Sequence, residues 1–133
     1  MFAFCVKNDE LFLEVQYMRE NVIEEKSFAF AVRVVKLSKY LRETKKEYTL
    51  SKQLLRCGTS IGANIAEAQR GQSKADFIAK MSIALKEANE TQYWLRLLFH
   101  TDYLTKEEFN SIHKDLAEVL SVLTAICKTS AEN

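Results

Sequence analysis

The sequence predicts an all-α protein, an up-down-up-down bundle of four helices preceded by a short N-terminal extension. Three observations carry that expectation. The 133 residues include three glycines and no proline. Because these two residues punctuate turns and end helices, their scarcity implies long helices with few, short connections. Apolar residues recur at alternating steps of three and four over four separate stretches, the spacing that lays a stripe along one helical face. Short polar segments separate those stretches, and helices joined so briefly pack as antiparallel neighbours. A hydrophobic content of 47% supplies a core for a domain of this length without metals or disulfides. Residues 19–133 are expected to form that domain and residues 1–18 to lie outside it.

The extension reads differently from the rest. Phe2, Phe4 and Val6, then Leu11, Leu13, Val15 and Tyr17, alternate at a spacing of two around Lys7-Asn8-Asp9-Glu10. That period fits a β-hairpin. The alternative is a loosely attached segment ahead of an authentic start at Met18.

The first helix is expected from about Ser27 to about Glu43, with two apolar seams. Phe28, Val32 and Val35 form one; Phe30, Val34, Leu37 and Leu41 form the other. A bundle core needs a single stripe, so the second seam points to contact with another subunit. After the polar link 44–49, Ser51 reads as the N-cap of a second helix ending near Ala68, with Leu50 and Leu55 as its hydrophobic staple. Its seam is Leu54, Gly58, Ile61, Ile65 and Ala68. Glycine inside a helix costs about 1 kcal/mol relative to alanine, and Gly58 and Gly62 are expected to admit a neighbouring helix closely. Gly71 suits a left-handed helix terminator. Ser73 and Asp76 open a third helix reaching Phe99, with Phe77, Met81, Ala84, Ala88, Thr91, Leu95 and Leu98 inward and Ile78, Leu85, Trp94 and Leu97 beside them. Thr105 and Glu108 form a capping box for a fourth helix, which buries Phe109, Ile112, Leu116, Val119, Leu123 and Ile126 up to Lys128. The last five residues are expected to fray.

Net charge is +1, but its placement is uneven. Residues 1–25 carry two basic and six acidic groups, residues 26–56 nine basic and two acidic. In the basic block, Arg33, Lys36, Lys39 and Arg42 follow one another at steps of three, and Lys45, Lys46, Lys52 and Arg56 continue the charge. Such a surface neutralises phosphates without reading bases; the plainer reading is a solvated face.

Other chemistry is weakly indicated. His100 and His113 lack metal-ligand partners at helical spacing, so neither a metal site nor a cofactor is expected. Arg96 and His100, four apart, invite comparison with helical-bundle ribonucleases, although the residue after Arg96 is Leu97 and the spacing is short. Glu67, Glu87 and Glu90 could pair as acid and base across helices, against the simpler reading of satisfied hydrogen bonds. Arg56 beside Cys57 is a reason for a depressed thiol pKa, against the simpler reading of Cys57 as a residue packed in the core or an interface. Three widely spaced cysteines suit reduced thiols. No run of about 18 apolar residues or secretory leader is found, and a cytoplasmic protein with no membrane contact is expected.

The segment Gln53-Leu54, Arg56, then Ser60-Ile61-Gly62-Ala63-Asn64-Ile65-Ala66-Glu67 resembles the signature of the four-helix-bundle family encoded in intervening sequences of 23S ribosomal RNA genes, also called the S23 ribosomal protein family. Ile83-Ala84-Leu85-Lys86-Glu87-Ala88-Asn89-Glu90-Thr91 with Trp94-Leu95 is similar to a later helix of one branch. The resemblance covers about residues 22–128. Where the family has Gly after Ala-Glu, this chain has Ala68, so the helix is expected to run on toward Gly71. The resemblance implies a ring-forming bundle, typically a homopentamer, without assigned enzymatic activity. A related branch, the accessory variability determinant of diversity-generating retroelements, is a basic pentamer that binds nucleic acid. On the residues alone, Ser60, Asn64 and Glu67 share one helical face and read with Glu90 as an architectural, hydrogen-bonded strip.

Together these readings lead to a non-enzymatic homo-oligomer contacting RNA or DNA through Arg33, Lys36, Lys39, Arg42, Lys45, Lys46, Lys52 and Arg56. The rivals are a hydrolase using Arg96 with His100 or the Glu67–Glu90 region, and a protein-interaction scaffold.

Overall fold

The computed structural model describes residues 2–132, with side chains from Glu10 to Ala131. Four helices follow in order: α1 (Phe2–Glu43), α2 (Thr49–Gln69), α3 (Lys74–His100) and α4 (Lys106–Glu132). Each packs on its two neighbours, α1 on α2 and α4, α3 on α2 and α4, as an up-down-up-down bundle requires. The expected inward seams of α2 and α4 are buried, as are those of α3 beyond Phe77; Phe77 and Phe109 are half-buried at the margins. On α1 the seam through Phe30, Val34 and Leu41 faces the core, with Ile23 and Ser27 extending it toward the N-terminus.

Residues 2–18 form no hairpin: α1 is one helix of 42 residues, roughly 63 Å long at 1.5 Å per residue. A two-stranded hairpin is marginal alone, whereas a helix already nucleated by packing gains one hydrogen bond for each residue added. No Gly or Pro interrupts the run from Phe2 to Glu43. The side chains of Phe2, Phe4, Cys5 and Val6 lie outside the described residues. Farther along, Arg19 Nη1 donates to Thr129 Oγ1 at 3.4 Å, and Gln69 Nε2 donates to the Glu20 carbonyl at 2.6 Å, tying α1 to the ends of α4 and α2.

The helix ends depart from expectation in three places. Ser51 is not an N-cap but lies inside α2, buried, with Tyr48 at the cap position. Glu47 serves the first turn instead: its carboxylate accepts from Ser51 N at 2.9 Å, and its carbonyl from Ser51 Oγ at 2.8 Å. Gly71 has no positive φ. A Cβ there would meet the Ala68 carbonyl oxygen at 3.1 Å and Asp76 Cβ at 3.3 Å, so Gly71 serves a tight approach rather than a left-handed turn. The left-handed residues are Lys46 (φ 56) and Asp102 (φ 67). Around Asp102, Tyr103 N donates to Leu98 O and Asp102 N to Phe99 O, a Schellman closure of α3. The third difference is that residues 129–132 continue α4 rather than fray, and Ser130 is buried against the bundle.

A Ser73 cap and the Thr105–Glu108 capping box hold the starts of α3 and α4. Asp76 N donates to Ser73 Oγ at 3.1 Å. Thr105 and Glu108 exchange bonds reciprocally, Thr105 N to Glu108 Oε1 at 2.8 Å and Glu108 N to Thr105 Oγ1 at 3.1 Å.

Candidate nucleic-acid interface

The basic block runs from the middle of α1 through the α1–α2 turn into α2. Steps of three on a helix drift around its axis, so its cations divide between sides. Arg33 turns toward α4, where it donates to Asp115 Oδ2 at 2.6 Å, to the Ser111 carbonyl at 3.1 Å and to Ser111 Oγ at 2.9 Å. Lys26 does likewise with Glu118 Oε2 at 2.7 Å, and that hydrogen bond raises the lysine's pKa. Arg56 leaves the block in the other direction, pairing with Glu87 and Glu90 of α3. Glu90 also accepts from Trp94 Nε1 at 3.1 Å. Arg33 and Arg56 therefore act as struts between helices, and their charges are largely spent.

Six cations remain. Lys36, Lys39, Arg42, Lys45, Lys46 and Lys52 are exposed, and none has an ion pair among the described residues. Lys45 Nζ stands 6.0 Å from the centroid of the Tyr40 ring, at the outer limit of a cation–π contact. The flanking acids are Glu43 and Glu47, and Glu47 is engaged at the start of α2. Beside this surface, a groove of about 540 Å³ opens between α1 and α4, lined by Lys36, Leu37 and Tyr40 and by Leu104, Glu107 and Glu108. With carboxylates on its α4 wall the groove is mixed in sign; on the turn and the helix ends joined to it the cations outnumber Glu43 and Glu47.

The remaining candidates are placed as follows. Ser60 Oγ donates to the Arg56 carbonyl at 2.6 Å and Asn64 Nδ2 to the Ser60 carbonyl at 2.8 Å, while Glu67 pairs with Lys80 at 2.7 Å. These groups bond along α2 or at the surface, and do not form a buried strip with Glu90. Glu67 and Glu90 are not brought together: Glu67 pairs with Lys80, which stands ten residues from Glu90 along α3, roughly 15 Å of rise. Arg96 and His100 are exposed and share no hydrogen bond among the described residues. His113 has a partner that sequence spacing did not suggest: its Nε2 lies 3.0 Å from Gln92 Nε2, and its ring stacks on Phe109. No group of three His, Cys, Asp or Glu side chains could hold a metal among the described residues, and no helix there is long and apolar enough to cross a membrane.

Cys57 is packed in the core, the simpler of its two sequence readings. Its side chain is buried between helices, 3.6 Å from the Leu54 carbonyl. Burial raises its pKa to about 11 and outweighs Thr91 and Arg56, which act in the other direction. Only the thiolate reacts, so Cys57 is expected to resist an aromatic disulfide reagent at pH 8 in the folded protein and to react once guanidinium unfolds it. Peptide mapping checks this, and prompt labelling of native Cys57 would contradict the burial.

The outer face of α1 is the second unusual surface. Phe28, Val32 and Val35 are 70%, 39% and 47% exposed, one turn after another, while the other seam of the same helix is buried. Tyr17 and Met18 extend exposed apolar surface toward the N-terminus.

Comparison with known proteins agrees with this architecture. A crystal structure of a protein of unknown function from the S23 ribosomal protein family of Bacteroides thetaiotaomicron superposes with a TM-score of 0.81 at 55% sequence identity, covering 83% of this chain and 98% of the other. Among curated proteins none matches. The sequence profile of the 23S rRNA-intervening sequence proteins matches residues 19–125, which spans both the Arg56–Glu67 signature and the Ile83–Leu95 segment. The chain belongs to the 23S rRNA-intervening sequence protein family.

Proposed function

We propose that this protein is a non-catalytic, self-assembling bundle that binds the phosphates of RNA or DNA at the end of the bundle formed by the α1–α2 turn. The observation that carries the reading is the set of six exposed cations, Lys36 through Lys52, that have no ion pair among the described residues after Arg33 and Arg56 are taken up between helices. Exposed cations on a turn and the helix ends joined to it favour contacts to the phosphate backbone, which position a nucleic acid without choosing its sequence. The exposed apolar face of α1 supports the self-assembly half, since contiguous apolar surface of this kind marks interaction sites. Light scattering counts the subunits, for which the family resemblance gives five per ring.

The phosphate reading is tested with mixed-sequence single-stranded RNA and DNA in a gel-shift assay at low salt. The wild-type chain is expected to shift both. A variant carrying Lys45→Gln, Lys46→Asn and Lys52→Gln is expected to bind at least tenfold more weakly with unchanged helical circular dichroism. Asn is chosen at position 46 because it tolerates the left-handed backbone there. Wild-type protein that shifts neither polymer at low salt would overturn the reading.

A further inference from the structure

We infer that the groove between α1 and α4 is a nucleobase site, and that it takes a guanine from a single strand whose phosphates lie on the neighbouring cations. The inference rests on the phosphate half of the proposed function and adds a base to it.

The groove lies at the cationic end of the bundle, where the last turns of α1 meet the start of α4. Its volume of about 540 Å³ falls within the roughly 300–1,000 Å³ of small-ligand clefts. The floor is apolar, made by Leu104 and Ile112, both buried, and by half-buried Leu37. The α1 wall carries Lys36 and Tyr40, and Lys45 Nζ stands 6.0 Å from the centroid of that tyrosine ring. Tyr40 therefore joins the groove to the free cations of the turn. The α4 wall carries Glu107 and Glu108. Glu108 Oε1 already accepts from Thr105 N, whereas Glu107 is exposed and has no ion pair among the described residues. Away from the turn, Arg33 crosses between the walls, with its donors taken by Ser111 and Asp115.

A ligand for this cleft must be anionic where it meets Lys36, flat and apolar over the floor, and a hydrogen-bond donor where it meets Glu107. A nucleotide of a single strand meets all three conditions, since its base can leave the stack, lie against an aromatic ring and offer its Watson–Crick edge. The carboxylate decides among the bases. Ionised, it only accepts hydrogen bonds, through two oxygens. Guanine alone sets two donors side by side, N1–H and the N2 amino group, and so serves both oxygens at once in a charge-assisted pair. Adenine and cytosine place a ring-nitrogen acceptor beside their amino group, and uracil and thymine flank one N–H with two carbonyls. Each of those acceptors would face the carboxylate. A protein segment bearing one acid and one base would also suit the two walls. The strand is favoured because exposed cations continue past the groove through Lys45, Lys46 and Lys52, a track that a repeating phosphate follows.

The test compares three short single strands at low salt by fluorescence anisotropy: all uridine, uridine with isolated guanosines, and uridine with inosine at the same places. The guanosine strand is expected to bind at least tenfold more tightly than the uridine strand. Inosine, which lacks the N2 amino group, should lose most of that gain. Glu107→Gln should bring the guanosine and uridine strands within twofold of each other, without weakening the uridine strand, because it removes a negative charge beside the phosphates. A Glu107 that acts only through its charge would shift both strands alike and keep their ratio, which overturns the site. Photocrosslinking of a strand carrying 6-thioguanosine, whose N1–H and N2 amino group are retained, reads the place directly. The label should fall on Tyr40 or between Leu104 and Ile112, and a label confined to residues 45–52 overturns the site. Equal affinity for the three strands, lost as salt rises, also overturns it; the phosphate reading then stands and the groove is left to a protein segment. No binding of any strand at low salt overturns both.

Discussion

Gly58→Ala is expected to destabilise the bundle by about 1–3 kcal/mol, the usual cost of overpacking a tight core, even though alanine is the better helix former by about 1 kcal/mol. A Cβ at position 58 would stand 2.7 and 2.8 Å from the two γ-carbons of Val34 and 3.2 Å from its Cβ. Val34 cannot swing away, because it is fully buried and a β-branched side chain in a helix is confined to essentially one rotamer. Relief must come from moving α1 off α2, which loosens Phe30 and the Ser38 to Ser51 hydrogen bond of 3.3 Å at the same interface. Urea denaturation measures the loss. The mechanism predicts that Val34→Ala combined with Gly58→Ala costs at least 1 kcal/mol less than the sum of the single changes, a coupling within the range for residues in contact. Gly62→Ala supplies the control: its Cβ would meet the Ser27 carbonyl oxygen at an ordinary 3.4 Å, so it should be neutral or stabilising. Additive effects of the Gly58 and Val34 changes would show that the contact does not limit the approach of the helices.

The same pair of helices illustrates what could be read from the sequence and what could not. The seam of Leu54, Gly58, Ile61, Ile65 and Ala68 was legible because periodicity is a property of consecutive residues, and the core reproduces it. That a glycine on this seam admits a neighbour was also legible, though not which residue it admits. Alternation over residues 2–17 suggested strands, and there the local signal lost to cooperativity, since α1 extends from a helix already fixed by packing. Of the eight cations in the candidate site, the sequence could not tell struts from free charges. The partners of Arg33 and Arg56 lie 82 and 34 residues away, at Asp115 and Glu90, and ion pairs at such separations leave no trace in local pattern. Ser51 failed as a cap for a related reason: its hydroxyl is closer in sequence to the expected helix start, but Glu47 reaches the backbone first. The two seams of α1 were both visible; only the fold decided which of them faces the core.

Binding to single-stranded RNA is expected to weaken by between roughly 20-fold and roughly 300-fold when salt rises from about 50 to about 200 mM, at about 0.7 released counterions per neutralised phosphate. The range follows from how many of the six free cations touch phosphate. If only Lys45, Lys46 and Lys52 do so, a fourfold rise in salt raised to a slope near 2 gives the lower figure. If Lys36, Lys39 and Arg42 join them, the slope doubles to about 4 and gives the upper one. The slope of log affinity against log salt therefore counts the contacts. Arg33→Gln should leave the slope unchanged, because its charge already faces Asp115, and should instead loosen α4 from α1. Fluorescence anisotropy over the salt series measures the slope for both chains, and an affinity insensitive to salt would mean that something other than these lysines and Arg42 holds the nucleic acid.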